Sequence, residues 1–235
     1  MSRTLLGLMV ALPMVVPTAS YAGSAYDVLT DKQKRKLKKD GTVVWYVAVA
    51  DKPWPKSYVY STIDGVSAEE AMAVFMDFNR HQEFMPDVND SKVSNHDSAR
   101  TWEVEYELHV PILRDERYTV RNRLSTYDNG AAYKMSWTKI KAYSTKDIVG
   151  NIRFESHGSG TLLAYYNYVV PGRAFSGWVE GRAKKGAVTV VKALGKEARR
   201  IKTKDPQRMQ QLVDQLRRSL ARTPESTVQV HTHAR

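Results

Sequence analysis

Charges of both signs recur at short spacing where Glu103, Glu105 and Glu107 are followed by Arg117, Arg121 and Arg123. Carboxylates so closely spaced could serve as a general acid and base. Their spacing points elsewhere. In the run Arg100 to Val110, Trp102, Val104, Tyr106 and Leu108 alternate with Glu103, Glu105, Glu107 and His109, the pattern of a half-buried antiparallel strand. The returning run alternates Tyr118, Val120, Asn122 and Leu124 with Arg117, Thr119, Arg121 and Arg123. A hairpin turning near Leu113 sets the glutamates against the arginines, each cross-strand pair being worth about 0.2–1 kcal/mol. These six charges are expected to brace a sheet rather than to catalyse.

Little other chemistry is legible. His81, His96, His109 and His157 fall on loops and the solvent face, and His231 and His233 lie in a polar tail where two histidines make a weak metal site. The chain has no cysteine, which excludes thiol catalysis, disulfides and a lipidated N-terminal cysteine. It has no P-loop, no dinucleotide glycine motif in context and no Gly-x-Ser-x-Gly elbow. No cofactor or metal is implied. Asn122 and Tyr118 stand out as polar groups on an apolar strand face, able to orient a ligand or polarise a carbonyl.

The elements that would position them follow from pattern. Arg3, the apolar run Leu5 to Val16 and the small-residue site Ser20-Tyr21-Ala22 read as a signal peptide over residues 1–22, cleaved after Ala22. Twelve residues span about 18 Å as a helix, too short for a hydrocarbon core of roughly 30 Å. The mature chain is expected to be soluble, monomeric and periplasmic. Residues 23–41 hold a short basic helix ended by Gly41. Strands are expected over Thr42 to Val49 and Ser57 to Ile63, separated by the loop Lys52-Pro53-Trp54-Pro55-Lys56, where two prolines forbid regular pairing. Ser67 and Glu70 form a capping box for a helix with Ala71, Val74, Phe75 and Phe78 on its apolar face. Further strands include Lys92 to Ser94, the two alternating runs above, Tyr133-Met135-Trp137 after the turn Asp128-Asn129-Gly130, and a hairpin of Asp147 to Ser156 with Thr161 to Val170. A long helix from about Phe175 to Lys204 carries one apolar stripe that includes Trp178, Ala187, Val191, Leu194, Ala198 and Ile201. An accessory helix runs from Asp205-Pro206 to about Ala221, before a flexible tail to residue 235.

Net charge is +11. Residues 42–173 carry fifteen Lys and Arg against seventeen Asp and Glu, whereas residues 174–235 carry fourteen against five. A neutral body with basic ends suits an anionic membrane surface, or simply a solvated helix face. Nucleic acid is an unexpected partner for an exported chain.

This order of strands, two short helices, a curved antiparallel sheet and one long closing helix resembles the START-like (SRPBCC) superfamily of lipid-transfer, polyketide-cyclase and coenzyme-Q-binding domains. Segments resemble its own in sequence order: Ile63 to Phe78 its first strand and helix; His81-Gln82-Glu83-Phe84-Met85-Pro86-Asp87-Val88 its Y-x-E-F-x-P-x-V segment; Asp115 to Val120 its D-R-D-Y-V strand, with Glu116 and Thr119 as departures; Gly150 to Phe154 and Thr161 to Tyr165 its last hairpin. The resemblance covers residues 42–200 and places a START-like domain at 42–204. It implies an α+β helix-grip fold, in which a curved antiparallel β-sheet wraps around a long C-terminal α-helix.

It further implies an apolar cavity between sheet and helix. Trp102, Tyr106, Tyr118, Asn122, Met135, Trp137 and Trp178 are the expected ligand-binding residues, unless these large side chains simply fill the interior. The expected function is binding or transfer of a lipid, sterol, fatty acyl chain or quinone, not catalysis; the alternative is a cyclase- or hydratase-like enzyme on the same fold. Trp54, Lys52 and Lys56, with the apolar tip Ile112-Leu113, are expected to dock transiently on membranes, unless Trp54 packs inward as a lid.

Overall fold

The computed structural model describes residues 23–52, 54–109, 115–172 and 177–222. The expected signal peptide, the Ile112-Leu113 tip, the side chain of Trp178 and the histidine tail lie outside the described residues. Helix α1 (Asp31–Asp40) leads into strands β1 (Thr42–Val47) and β2 (Lys56–Asp64). Helices α2 (Ala68–Phe75) and α3 (His81–Phe84) follow, with a 3-10 turn between them. Strands β3 (Val88–Ser98), β4 (Thr101–Leu108), β5 (Glu116–Tyr127), β6 (Ala132–Ala142), β7 (Asp147–His157) and β8 (Gly160–Val170) form a meander, closed by α4 (Gly177–Lys204) and α5 (Pro206–Ala221).

All strands join one antiparallel sheet in the order β1-β2-β8-β7-β6-β5-β4-β3. Because β2 pairs with β8, the chain after Asp64 must cross to the far edge before β3 can begin. It crosses over the concave face, where α2 packs on β6, β7 and β8. The Ser67–Glu70 capping box starts α2 as the sequence predicts: Ser67 Oγ accepts from Glu70 N (3.1 Å) and Glu70 Oε2 accepts from Ser67 N (2.8 Å). Glu70 Oε2 also meets Lys202 Nζ of α4 at 2.8 Å. One carboxylate thus fixes both the start of α2 and its place against the closing helix. The predicted stripe on α4 is buried at Ala187, Val191, Leu194, Ala198 and Ile201, against β2 and α2. Helix α5 buries Met209, Leu212, Val213 and Leu216 and lies against α2, held by Arg208–Asp77 (2.5 Å) and Arg217–Glu69 (2.7 Å).

Three features depart from the sequence expectation. The short extension at Lys92 to Ser94 is an eleven-residue edge strand, β3, whose polar side chains and register shifts hide any alternation. The charge ladder is only partly the expected one. Arg121 meets Glu103 at 2.6 Å and Arg117 meets Glu107 at 2.7 Å, but Glu105 stands opposite Thr119 and reaches across to Lys141 at 3.1 Å. Glu116 is buried, and its carboxylate accepts from Ser144 N (2.9 Å), Ser144 Oγ (2.5 Å) and Thr145 N (3.0 Å), clipping the β6–β7 turn. Burial pushes its acidity down, yet these hydrogen bonds outweigh burial and leave its pKa below the usual glutamate range.

The convex face carries a second core. Ala25, Leu29 and Leu37 cover Val43, Tyr60, Leu162 and Ala164, with Tyr26 and Trp45 partly buried against them. Thr30 caps α1 through a box with Gln33, and Gly41 ends it in the left-handed region (φ 66). The segment before α1 is tied to a buried carboxylate. Glu155 accepts from Ala25 N (2.9 Å), Tyr26 N (3.2 Å) and the Ser24 hydroxyl, and pairs with the equally buried Arg153 at 3.1 Å. Removing one partner of a buried pair costs about 3–5 kcal/mol. Glu155→Ala should therefore lower the melting temperature by roughly 6 °C or more and expose the lysines of α1 to trypsin; unchanged melting and cleavage would contradict this anchoring role.

Candidate ligand site

Sheet register decides which side chains face the helices. The pairs Trp102↔Asn122, Asn122↔Trp137 and Trp137↔Gly150 run across β4 to β7 on the concave side. A parallel row places Tyr106 opposite Tyr118. Ile152↔Tyr165 adds β8 to this face. From above come Phe75 of α2, Phe78 of the 3-10 turn, and His81 and Phe84 of α3. The rings interlock: Phe75 lies 6.2 Å from Trp137, Phe78 lies 6.0 Å from Trp102, and Trp137 lies 5.7 Å from Tyr165. Gly150 lets the indole of Trp137 lie flat on the sheet, since a Cβ there would stand 2.5 Å from the ring.

The expected ligand residues divide into two groups. Met135 is fully covered and Trp102, Asn122 and Trp137 nearly so, closed in by α2, the 3-10 turn and neighbouring strands. Tyr106 and Tyr118 differ. Both sit deep enough for burial to push their phenol pKa values up, yet both keep surface that no neighbour covers. Both are packed against the concave core only in part. Their rings are 5.4 Å apart. Tyr165, buried and likewise shifted upward, interacts electrostatically with Tyr118 and completes the wall. Asn122 leaves its Nδ2 atom buried without a partner, an unmet donor in an apolar wall.

His81 is the residue that the sequence misplaces. It is 1 % exposed, not on a solvent face, and is surrounded by Phe75, Phe78, Phe84 and Tyr106. Its Nε2 lies 2.8 Å from Phe75 O and its Nδ1 lies 2.9 Å from Tyr106 Oη. A carbonyl only accepts, so Nε2 carries the proton. In the neutral ring Nδ1 then accepts from the Tyr106 hydroxyl. Burial drives the imidazole pKa down to about 4, against a smaller upward pull from the Phe75 carbonyl and Asp77. The signal for this was its spacing: His81 follows Phe78 by three residues and precedes Phe84 by three, on the apolar side of a turn. Tyr165 was missed because both faces of β8 are apolar, Leu162 and Ala164 facing the second core.

The proposed docking residues are more exposed. Trp54 is half-buried, Lys52 is exposed, and Lys56 is half-buried where it opens β2. Lys185, Lys192, Lys196 and Arg199 are exposed along one face of α4. No metal-binding cluster occurs among the described residues, nor does any helix there suffice to cross a membrane.

Burial of neutral His81 has a thermodynamic consequence. The unfolded chain takes up a proton near pH 6.5 while the folded chain resists until about pH 4. The stabilisation is therefore complete above pH 6.5 and is lost as pH falls toward 4, by about 3 kcal/mol in all. Urea unfolding should show this loss, and His81→Phe should flatten the slope in that window; an identical slope in the variant would place the titration elsewhere.

Solved structures show the same architecture. No protein-family model matches the sequence, and no curated protein matches it. Human STARD10 superposes with a TM-score of 0.62 at 16% identity, over 84% of this chain and 91% of that one. A STAR-related lipid transfer protein fragment from Xanthomonas axonopodis gives 0.61 at 15% identity, over 68% and 94%. The Zhui aromatase/cyclase of Streptomyces sp. R1128 gives 0.50 at 16%, over 62% and 95%. With the curved sheet, the crossing helices and the long closing helix, this likeness shows that the chain has the START-like helix-grip fold.

Proposed function

We propose that this chain binds an apolar small molecule in the cup beside Tyr106, Tyr118 and Tyr165 and carries it within a bacterial envelope, after its first 22 residues are removed. The observation that carries this is the uncovered surface of Tyr106 and Tyr118 inside the fold. The lipid-transfer neighbours named above support it. Burying about 400 Å² of ligand surface is worth roughly 10 kcal/mol before association costs, and losses of several kcal/mol still leave micromolar binding.

The inward pair of His81 and Tyr106 is a feature that favours a cyclase-like reading. Its electrostatics oppose that reading. A useful acid or base has a pKa near the working pH, whereas burial moves His81 down to about 4 and Tyr106 well up. Both groups are held neutral and out of proton exchange, which suits a binding site. The decisive experiment is native mass spectrometry of protein purified gently from the cell envelope. The expected species begins at Gly23 and carries an apolar adduct released by organic solvent. An intact Met1 on the exported protein would refute processing. An empty protein that also fails to bind sterols, fatty acids, phospholipids and quinones would refute the carrier.

Loading requires contact with a bilayer. Trp54 between two prolines, with Lys52 and Lys56 alongside, suits the headgroup layer, and the basic face of α4 adds attraction of about 1 kcal/mol per cation near an anionic surface. Trp54→Ala should weaken binding to anionic vesicles at low salt with little change in melting temperature. A melting temperature lowered by several degrees with vesicle binding intact would show that Trp54 is a packed lid.

A further inference from the structure

The cup's polar groups specify the ligand's head. This inference rests on the binding reading above and deepens it. The Tyr106 hydroxyl has one proton, and that proton is directed to His81 Nδ1 at 2.9 Å, because His81 Nε2 donates to Phe75 O at 2.8 Å. The two bonds leave Tyr106 Oη with lone pairs and nothing to donate. It can accept from a ligand O–H and cannot donate to a carbonyl, an ether or a carboxylate. Tyr118, whose ring lies 5.4 Å away, and Tyr165 beyond it have no hydrogen-bond partner for their hydroxyls among the described residues. They can serve the remaining lone pairs of the same head.

The described surroundings offer little compensating charge. Among the described residues no cation shifts the phenols of Tyr106, Tyr118 or Tyr165, and the charge felt at Tyr118 is that of Glu116. Lys139, which shares the concave face of β6 with Trp137, turns its ammonium onto the carbonyl oxygens of Thr145 (3.3 Å) and Lys146. An ionised head would lose its hydration among phenols, a lone-pair acceptor and a nearby carboxylate, with the described ammonium of that face, Lys139, already engaged by two carbonyl oxygens. We propose that the bound molecule carries a neutral hydroxyl, as in a long-chain or sterol-type alcohol, which donates to Tyr106 Oη, and that the cup rejects carboxylate and phosphate heads. Tyr106 is the specificity-determining contact, and His81 is a positioning residue that fixes which way the Tyr106 proton points.

A chain-matched series tests this on the full mature protein: 1-hexadecanol, hexadecyl methyl ether, hexadecanoate at pH 8 and hexadecyl phosphate, followed by tryptophan fluorescence. The alcohol should bind about tenfold more tightly than the ether, the effect of one buried hydrogen bond, and the two anions should bind more weakly than either. Tyr106→Phe should bring the alcohol-to-ether ratio near one. His81→Phe frees the Tyr106 proton for an ether oxygen and should shrink the ratio by raising the ether. Thermal unfolding of each variant shows that it is folded. A carboxylate or phosphate that binds as tightly as the alcohol overturns the head-group assignment, and a ratio unchanged in Tyr106→Phe overturns the role of that hydroxyl. If no member of the series binds, the ether included, the cup reading fails and this inference with it.

Discussion

An eight-stranded sheet with apolar side chains on both faces has to be covered twice, and most of this structure follows from how each face is covered. On the concave side the cover is α2, held by α4 and α5. Arg208–Asp77, Arg217–Glu69 and Lys202–Glu70 tie the last two helices to the segment from Glu69 to Asp77, so the closing helices and the crossing segment are one assembly. On the convex side the cover is the N-terminal segment, with Glu155 accepting its backbone N–H groups where water cannot. On the concave side α2 packs on β6, β7 and β8, while the 3-10 turn and α3 pack on β3 and set Phe78 and His81 over Trp102 and Tyr106 of β4. Tyr106 and Tyr118, on β4 and β5, are partly buried against this core, as is Phe84 of α3.

How much of this was legible in the sequence depended on whether an element has one apolar face or two. Strands β4 and β5 show a clean period of two because one face is charged and solvated, so Trp102, Tyr106, Tyr118 and Asn122 could be placed on the concave side from spacing alone. Helix α4 was legible for the same reason, as was the Ser67–Glu70 cap, which is a local signal. Strand β8 was not: Leu162 and Ala164 face one core and Leu163 and Tyr165 the other, and alternation vanishes when both faces are apolar. Glu155 and Glu116 were illegible too, since nothing in a strand's own sequence marks a carboxylate that will collect N–H groups from a distant segment.

His81 shows the same limit for a single residue. Its type suggested solvent, because most histidines keep a polar edge wet, and its neighbours in sequence are Arg80, Gln82 and Glu83. Only the fold supplies the Phe75 carbonyl and the Tyr106 hydroxyl that satisfy both nitrogens and make burial tolerable. A buried imidazole of that kind orders its surroundings: with both nitrogens committed, it can hold the ring of Tyr106 and the end of α2 in one arrangement.

Charge is distributed to the same end. Exposed positive charge sits on the outer surfaces of α1 and α4, while the concave face is built largely from phenols, indoles and aliphatic side chains. For the carrier proposed above, this separation would let the outer surface meet anionic lipid while the cup holds an uncharged cargo. Cations inside the cup would trap lipid head groups by strong, slowly broken ion pairs, and cations outside act within a Debye length of the bilayer and are screened beyond it. Tyr106, Tyr118 and Tyr165 offer instead neutral hydrogen bonds of modest net strength. On the proposed reading, those would orient a ligand whose affinity comes from apolar burial and would be weak enough to exchange for water on release.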